Sequence, residues 1–193
     1  MIGKDDEHIR LDEKSHVEEP FLEELHKIGW HILRLDSKEK PKERQLPKDS
    51  FRASFTDVVM VPKLVDALKK INPWLEDDQL GEVVERITRL EKTSLIEANQ
   101  IIQELLTENT SVSENRKTKE KSPTVRYIDF KNPKNNNYIA VSQMKIRILG
   151  TDHHIYPDIV LFLNGLPVIV IEAKSPKLRE PIADAIDQLL RYS

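Results

Sequence analysis

The chain contains no cysteine, which excludes disulfides, thiolate metal sites and a cysteine nucleophile and fits a reducing compartment. No apolar stretch approaches the ~18 residues that a membrane span requires. The N-terminal residues are rich in charge and lack the apolar core of a secretion signal. A cytoplasmic location with no membrane partner is therefore expected. Neither charge sign dominates: the formal net charge is −3, although charged residues make up 33% of the sequence. With no bulk attraction for nucleic acid, any such binding has to come from local basic patches. Glycine is scarce, and none of the five sits in a GxxxxGK[ST] phosphate loop, so the chain is expected neither to hydrolyse ATP nor to translocate.

What is present is a change of texture along 193 residues, a length that suits one domain or one domain plus a small lobe. Residues 1–16 are polar and expected to be flexible. From Val17 a helix is predicted, with Pro20 in its first turn, Phe21, Leu22, Leu25 and Ile28 at helical spacing, and Gly29 to end it. Residues 30–33 read as a short strand or core anchor and 37–50 as an exposed loop. Apolar side chains at three- and four-residue spacing then predict helices over Val61–Ile71, 80–90 and 95–106. This reads as a helical insertion, about 57–110, in a domain spanning 17–193. Residues 111–122 read as a lysine-rich surface linker. Period-two patterns at 124–130 and 138–148 predict strands separated by a turn over 132–137. In 181–193, Ile182, Ala185, Ile186, Leu189 and Leu190 form one helical stripe, and strands closed by a helix predict an α/β sandwich.

The remaining stretch organises the reading. Two apolar runs, Ile159–Leu163 and Leu166–Ile171, flank Asn164-Gly165, which suits a tight hairpin because both residues tolerate positive φ. The second run lacks polar alternation, which predicts a strand buried on both faces. Charge appears only at the ends far from the turn: Asp158 before the first run, and Glu172 and Lys174 after the second, two apart so as to share a strand face. A carboxylate at the end of a buried strand is costly unless it is paired or holds a metal. Register decides whether these groups converge. A two-residue loop would set Asp158 opposite Ile171 and send the carboxylates to opposite faces. A type I turn over Leu163-Asn164, with Gly165 as a left-handed bulge, pairs Phe162 with Leu166 and puts Asp158 opposite Val170, on the Glu172 side. The odd loop is predicted.

Such a constellation suits phosphodiester hydrolysis, which needs an in-line water, relief of charge on phosphate and a stabilised leaving alkoxide. Mg²⁺ supplies all three when about two carboxylates hold it and leave positions for water and phosphate. Asp158 and Glu172 fit as ligands, with the Ala173 backbone carbonyl between them, and Lys174 would orient or activate the water and steady the phosphate. Glu-x-Lys on a strand also fits a solvated charge ladder. The apolar run, the matching Asp and the following helix raise the metal-nuclease reading to equal standing with it.

At these residues the chain resembles the PD-(D/E)xK nuclease superfamily, and within it the N-terminal part of the R (restriction) subunit of type I restriction enzymes. The resemblance runs roughly from Val17 to Tyr192. Glu18, Phe21-Leu22 and Gly29-Trp30 look like the opening helix; Ala67-Leu68, Ile71-Asn72-Pro73, Asn99 and Leu105-Leu106 look like the helical insertion. Arg126-Tyr127-Ile128-Asp129-Phe130, Asn132-Pro133, Asn136-Asn137 and Val141-Ser142-Gln143 resemble the strands before the site. Pro157-Asp158-Ile159-Val160-Leu161-Phe162 with Asn164-Gly165-Leu166-Pro167 is the closest match. The resemblance implies an α/β fold with a mixed central sheet flanked by helices and a helical insertion. It implies Mg²⁺-dependent cleavage of double-stranded DNA without sequence readout, the nuclease part of a type I site-specific deoxyribonuclease, carried by Asp158, Glu172 and Lys174. It also implies that Glu18 completes the metal shell, and that Gln188 and Tyr192, matching a QxxxY motif on one helix face, brace the site or touch the DNA backbone. An ATP-driven motor, and partner subunits for methylation (M) and specificity (S), are implied for a longer polypeptide of which this chain would be the N-terminal piece.

Lys131, Lys134, Lys145, Arg147, Lys177 and Arg179 flank the proposed cleft and are candidates for holding phosphates. Plainer readings stand beside these: Glu18 as a helix N-terminal acid, Gln188 and Tyr192 as an ordinary polar face, His153-His154 as bystanders, and Trp30 and Trp74 as packing anchors. The rival from another class is a catalytically silent nuclease-fold module that docks the motor or partner subunits.

Overall fold

The computed structural model describes residues 13–39, 41–89, 95–107, 110–175 and 181–190. A π-helical turn, Lys14–Glu18, leads into α1 (Glu19–Lys27) and β1 (His31–Arg34). Helices α2 (Val61–Ile71), α3 (Asp77–Thr88) and α4 (Leu95–Thr107) follow. The strands are β2 (Thr110–Ser111), β3 (Thr124–Val125), β4 (Tyr138–Ser142), β5 (Ile146–Arg147), β6 (His154–Ile155), β7 (Ile159–Leu163) and β8 (Leu166–Ile171), and α5 (Pro181–Leu190) comes last. The chain divides into two units. One takes residues up to Val58, Tyr138–Phe162 and residues from Pro167 onward; the other takes Val59–Asn137 and Leu163–Leu166.

The first unit is built on a four-stranded mixed sheet of order β1-β4-β7-β8. β1 runs parallel to β4, with His31 beside Ile139. Backbone bonds join Asn164 N to Asn137 O (2.8 Å) and Gln143 N to Asp158 O (2.9 Å), so β7 runs antiparallel to β4. Leu22 and Leu25 of α1 are buried against Ala140, Ile159 and Leu161, each worth roughly 1.5–3 kcal/mol on full burial. Phe21 and Ile28 stay exposed, so the apolar stripe of α1 is narrower than predicted, and its helical lead-in starts at Lys14 rather than Val17. Gly29, at φ +99°, closes the helix, and Trp30 packs on Tyr138 with ring centroids 5.3 Å apart.

Three expectations for this unit fail. The run Leu166–Ile171 is not buried on both faces: β8 is an edge strand, only Leu166 is buried, and Val168, Ile169 and Val170 are 41%, 51% and 44% exposed. Apolar side chains record what a strand is suited to bury, not what covers it. The α5 stripe of Ile182, Ile186, Leu189 and Leu190 is likewise exposed. The predicted strand over 138–148 breaks into β4 and β5 because Gln143 turns left-handed, at φ +55°.

In the second unit, Leu64 and Leu68 of α2 pack with Leu80, Val83 and Ile87 of α3 around Val125, Tyr127 and Leu166. Tyr127 OH donates to Val83 O at 2.7 Å. The strand predicted over 124–130 shrinks to Thr124–Val125. The Asn72 side chain takes both backbone groups of Arg126, donating to its carbonyl at 2.8 Å and accepting its amide at 3.0 Å, which withdraws them from any ladder. The stretch 111–122 is more than a surface linker, since Asn115 is fully buried and donates to Trp74 O and Gln79 Oε1.

The hairpin turn is the even one. β7 ends at Leu163, β8 starts at Leu166, and both Asn164 (φ +54°) and Gly165 (φ +83°) are left-handed, a type I′ turn, so the predicted odd loop is overturned. The reason lies in residues far along the chain. Asn164 is fully buried; its Oδ1 accepts the Asn137 amide at 2.7 Å, and its Nδ2 donates to Tyr127 O at 2.8 Å and Asn136 Oδ1 at 2.9 Å. Gly165 O accepts the Met60 amide at 2.8 Å. These bonds offset the cost of a left-handed asparagine.

Candidate active site

Glu18, Gln143, Asp158, Glu172, Lys174 and Gln188 all lie in the first unit. The even turn would separate Asp158 from Glu172 if pleat alternation governed them, but it does not: β7 begins at Ile159 and β8 ends at Ile171. Glu172 and Lys174 therefore do not share a strand face. Asp158 meets the segment outside the ladder, where its Oδ2 accepts the Ala173 amide at 2.8 Å. Its Oδ1 accepts Gln143 Nε2 at 2.9 Å. Both carboxylate oxygens of Glu172 are buried. Lys174 Nζ donates to Gln188 Oε1 of α5 at 2.5 Å. Ser175, almost wholly buried, donates its amide to Glu13 Oε1 at 2.9 Å, which ties the end of the segment to the start of the N-terminal helix.

Glu18 reaches the same place from the π-helical turn, whose extra residue per turn re-aims side chains and which is frequent at functional sites. The residue is only 6% exposed. Burial first, and the Asp158 charge second, push its carboxyl up to about 7, while a hydrogen bond from Gln143 and the Lys14 charge pull the other way. A folded carboxyl raised above its ordinary 4.5 holds a proton that the unfolded chain releases, so stability falls as pH rises from about 4.5 through 7. Glu18→Gln should therefore make the chain more stable at pH 8, by on the order of 2 kcal/mol, with little change at pH 4.5. Urea unfolding at the two pH values checks this; an equal effect at both would show that Glu18 is not the group responsible.

The basic candidates separate. Arg147 is bound to Asp152 at 2.6 Å and to Thr151 O at 2.7 Å, so it is committed within its own loop. Lys145 Nζ lies 4.9 Å from the Phe55 ring centroid and donates to Glu43 O at 3.3 Å. Lys131 and Lys134 belong to the second unit. Lys177, Arg179 and Tyr192 lie outside the described residues. His154 packs edge-on against Phe55, and burial, Lys145 and Arg147 hold its pKa below the ordinary histidine value. Two residues escaped the sequence reading as site residues. Lys42 donates to Gln143 Oε1 at 3.3 Å, and Gln143 carries the amide that touches Asp158. The available signal was a polar residue directly after the apolar β4.

The donors gathered here are hard carboxylate oxygens. Among the described residues no group of three or more His, Asp or Glu forms a metal cage. The arrangement suits a cation that takes one or two carboxylates and keeps several waters, as Mg²⁺ does.

Residues 10–193 match the family described as type I restriction enzyme R protein N terminus. The chain belongs to this family. The type I restriction enzyme HindI endonuclease subunit of Haemophilus influenzae is 32% identical over 93% of the chain and 16% of its own length. The putative type I restriction enzyme MjaIXP endonuclease subunit of Methanocaldococcus jannaschii is 25% identical over 94% of the chain and 17% of its own. The chain spans about one-sixth of the length of these curated relatives.

Proposed function

We propose that the chain is the Mg²⁺-dependent DNA endonuclease domain of a type I restriction R subunit, cutting double-stranded DNA without reading its sequence. The observation that carries this reading is the bond from the Ala173 amide to Asp158, which joins the Pro-Asp end of β7 to the Glu-Ala-Lys segment. Asp158, Glu172 and the Ala173 carbonyl would hold Mg²⁺, with Glu18 binding directly or through water. Mg²⁺, when bound, supplies charge relief at the phosphate and lowers the pKa of a bound water. Lys174, held by Gln188, positions an ammonium for the scissile phosphate or the attacking water. Lys42 and Lys145 offer non-specific phosphate contacts. Coupling to an ATP-driven motor, and assembly with M and S subunits, belong to the longer polypeptide that the relatives' lengths suggest.

A second reading, a silent docking module, draws on the exposed apolar residues of β8 and α5. Nicking of supercoiled plasmid by the full R subunit in its complex separates the two. The catalytic reading expects Mg²⁺-dependent cutting that Glu172→Gln and Lys174→Ala each lower by about a hundredfold or more. Undiminished cutting in both variants would favour the docking module.

A further inference from the structure

Gln143 meets Asp158 through both its side chain and its backbone. Its backbone is left-handed, at φ +55°, a conformation that strains a non-glycine residue, and the residue is buried. Strain of this kind persists only where the surroundings over-determine it. Here they do. The Gln143 amide N–H donates to Asp158 O at 2.9 Å, and its carbonyl accepts Gln45 Nε2 at 2.7 Å. Gln45 Oε1 accepts the Lys145 amide at 3.0 Å and its Nε2 also donates to Leu35 O at 3.0 Å, so one buried side chain clamps the bend from both sides. The side chain of Gln143 is as fully used: Nε2 donates to Asp158 Oδ1 at 2.9 Å, and Oε1 accepts Lys42 Nζ at 3.3 Å.

Gln143 thus holds Asp158 twice, by its carboxylate through the neutral NH₂ group and by its carbonyl through the backbone amide. The hydrogen donated to Oδ1 occupies one lone pair of an oxygen that has two. Asp158 is fixed while keeping acceptor capacity for a cation. An ammonium here would offset part of the negative charge that attracts a cation, and a carboxylate would add a further negative charge and lose both donors.

We infer that Gln143 is a positioning residue whose side-chain amide fixes Asp158 in the orientation that binds the divalent cation. The inference rests on the nuclease reading above and adds to it a residue that never touches the cation. Its test exploits the backbone. Asparagine and glycine adopt the left-handed conformation more readily than glutamine, so Gln143→Asn and Gln143→Gly keep or ease the bend while withdrawing the amide from the Asp158 carboxylate. The probe is Mn²⁺, titrated by calorimetry into the intact chain, with thermal unfolding measured alongside.

Wild type should bind Mn²⁺ in a way that Asp158→Ala abolishes. Both Gln143 variants should bind it about ten- to a hundredfold more weakly, with an undiminished melting temperature. In the full enzyme the same variants should need correspondingly more Mg²⁺ for half-maximal cutting, at unchanged KM for DNA. Mn²⁺ affinity equal to wild type in either folded variant overturns the role of Gln143 and leaves the nuclease reading standing. No Asp158-dependent Mn²⁺ binding by the wild type overturns both. If Gln143→Asn fails to fold, Gln143→Glu, which keeps length and shape, decides: retained affinity overturns the inference.

Discussion

Asp158→Ala is expected to abolish DNA cutting by the R subunit that carries this chain, by about a thousandfold or more, while the protein stays folded. The size follows from the chemistry. A hard cation's stabilisation of transition-state charge is worth several kcal/mol, and each 1.36 kcal/mol is tenfold in rate. The structural side effects are smaller and opposed. Gln143 Nε2 and the Ala173 amide lose an acceptor, at roughly 1–3 kcal/mol for each buried donor left without one. Against this, Glu18 loses the neighbouring charge that helps to raise its pKa, so its carboxyl ionises more readily. Plasmid cleavage in Mg²⁺, together with circular dichroism and melting of the same preparation, separates lost chemistry from lost fold. Full cleavage by the Ala variant would remove Asp158 from the catalytic set, and the bond to Ala173 would then be a structural tie only.

Gly165→Ala should be the most damaging single methyl outside the site, destabilising the chain by about 3 kcal/mol or more. The residue sits at φ +83°, where an L side chain is strained. A Cβ there would lie 2.6 Å from Met60 O and 2.8 Å from Leu64 N. Both are backbone atoms at the start of α2, so no rotamer change relieves the overlap. Gly165 O also accepts the Met60 amide at 2.8 Å, and a shift large enough to admit the methyl breaks that bond. Urea unfolding of the two proteins measures the difference. A loss below about 1 kcal/mol would mean that the turn yields easily and that the close approach is not part of what sets it. Asn164→Gly, which keeps the left-handed turn but removes the buried amide and its three hydrogen bonds, offers a comparison free of the steric overlap.

These cases show where sequence reasoning succeeds. The helix Val61–Ile71 was legible because an amphipathic stripe of 3.6 residues is a local property, written in Leu64, Ala67 and Leu68. The turn dipeptide was legible for the same reason. Its type was not, because the bonds that hold Asn164 come from Tyr127, Asn136 and Asn137, which sequence spacing does not bring near. Buried and edge strands carry the same apolar letters, so the run in β8 said nothing about its cover. Gln143 shows the converse: a single glutamine after a strand looks unremarkable until its neighbours are placed around it.

Sequence alone determined the mixture of helices and strands, the position of the Asn-Gly turn and the residue types offered for chemistry, since each depends on periodicity or on intrinsic side-chain properties. Tertiary structure decided that the turn is even, that Asp158 meets the Ala173 amide beyond the strand ends rather than across the pleat, and that Glu18 and Gln143 join Asp158. Those outcomes rest on hydrogen bonds and charge interactions between residues 15 to 140 positions apart, whose strength depends on burial and distance.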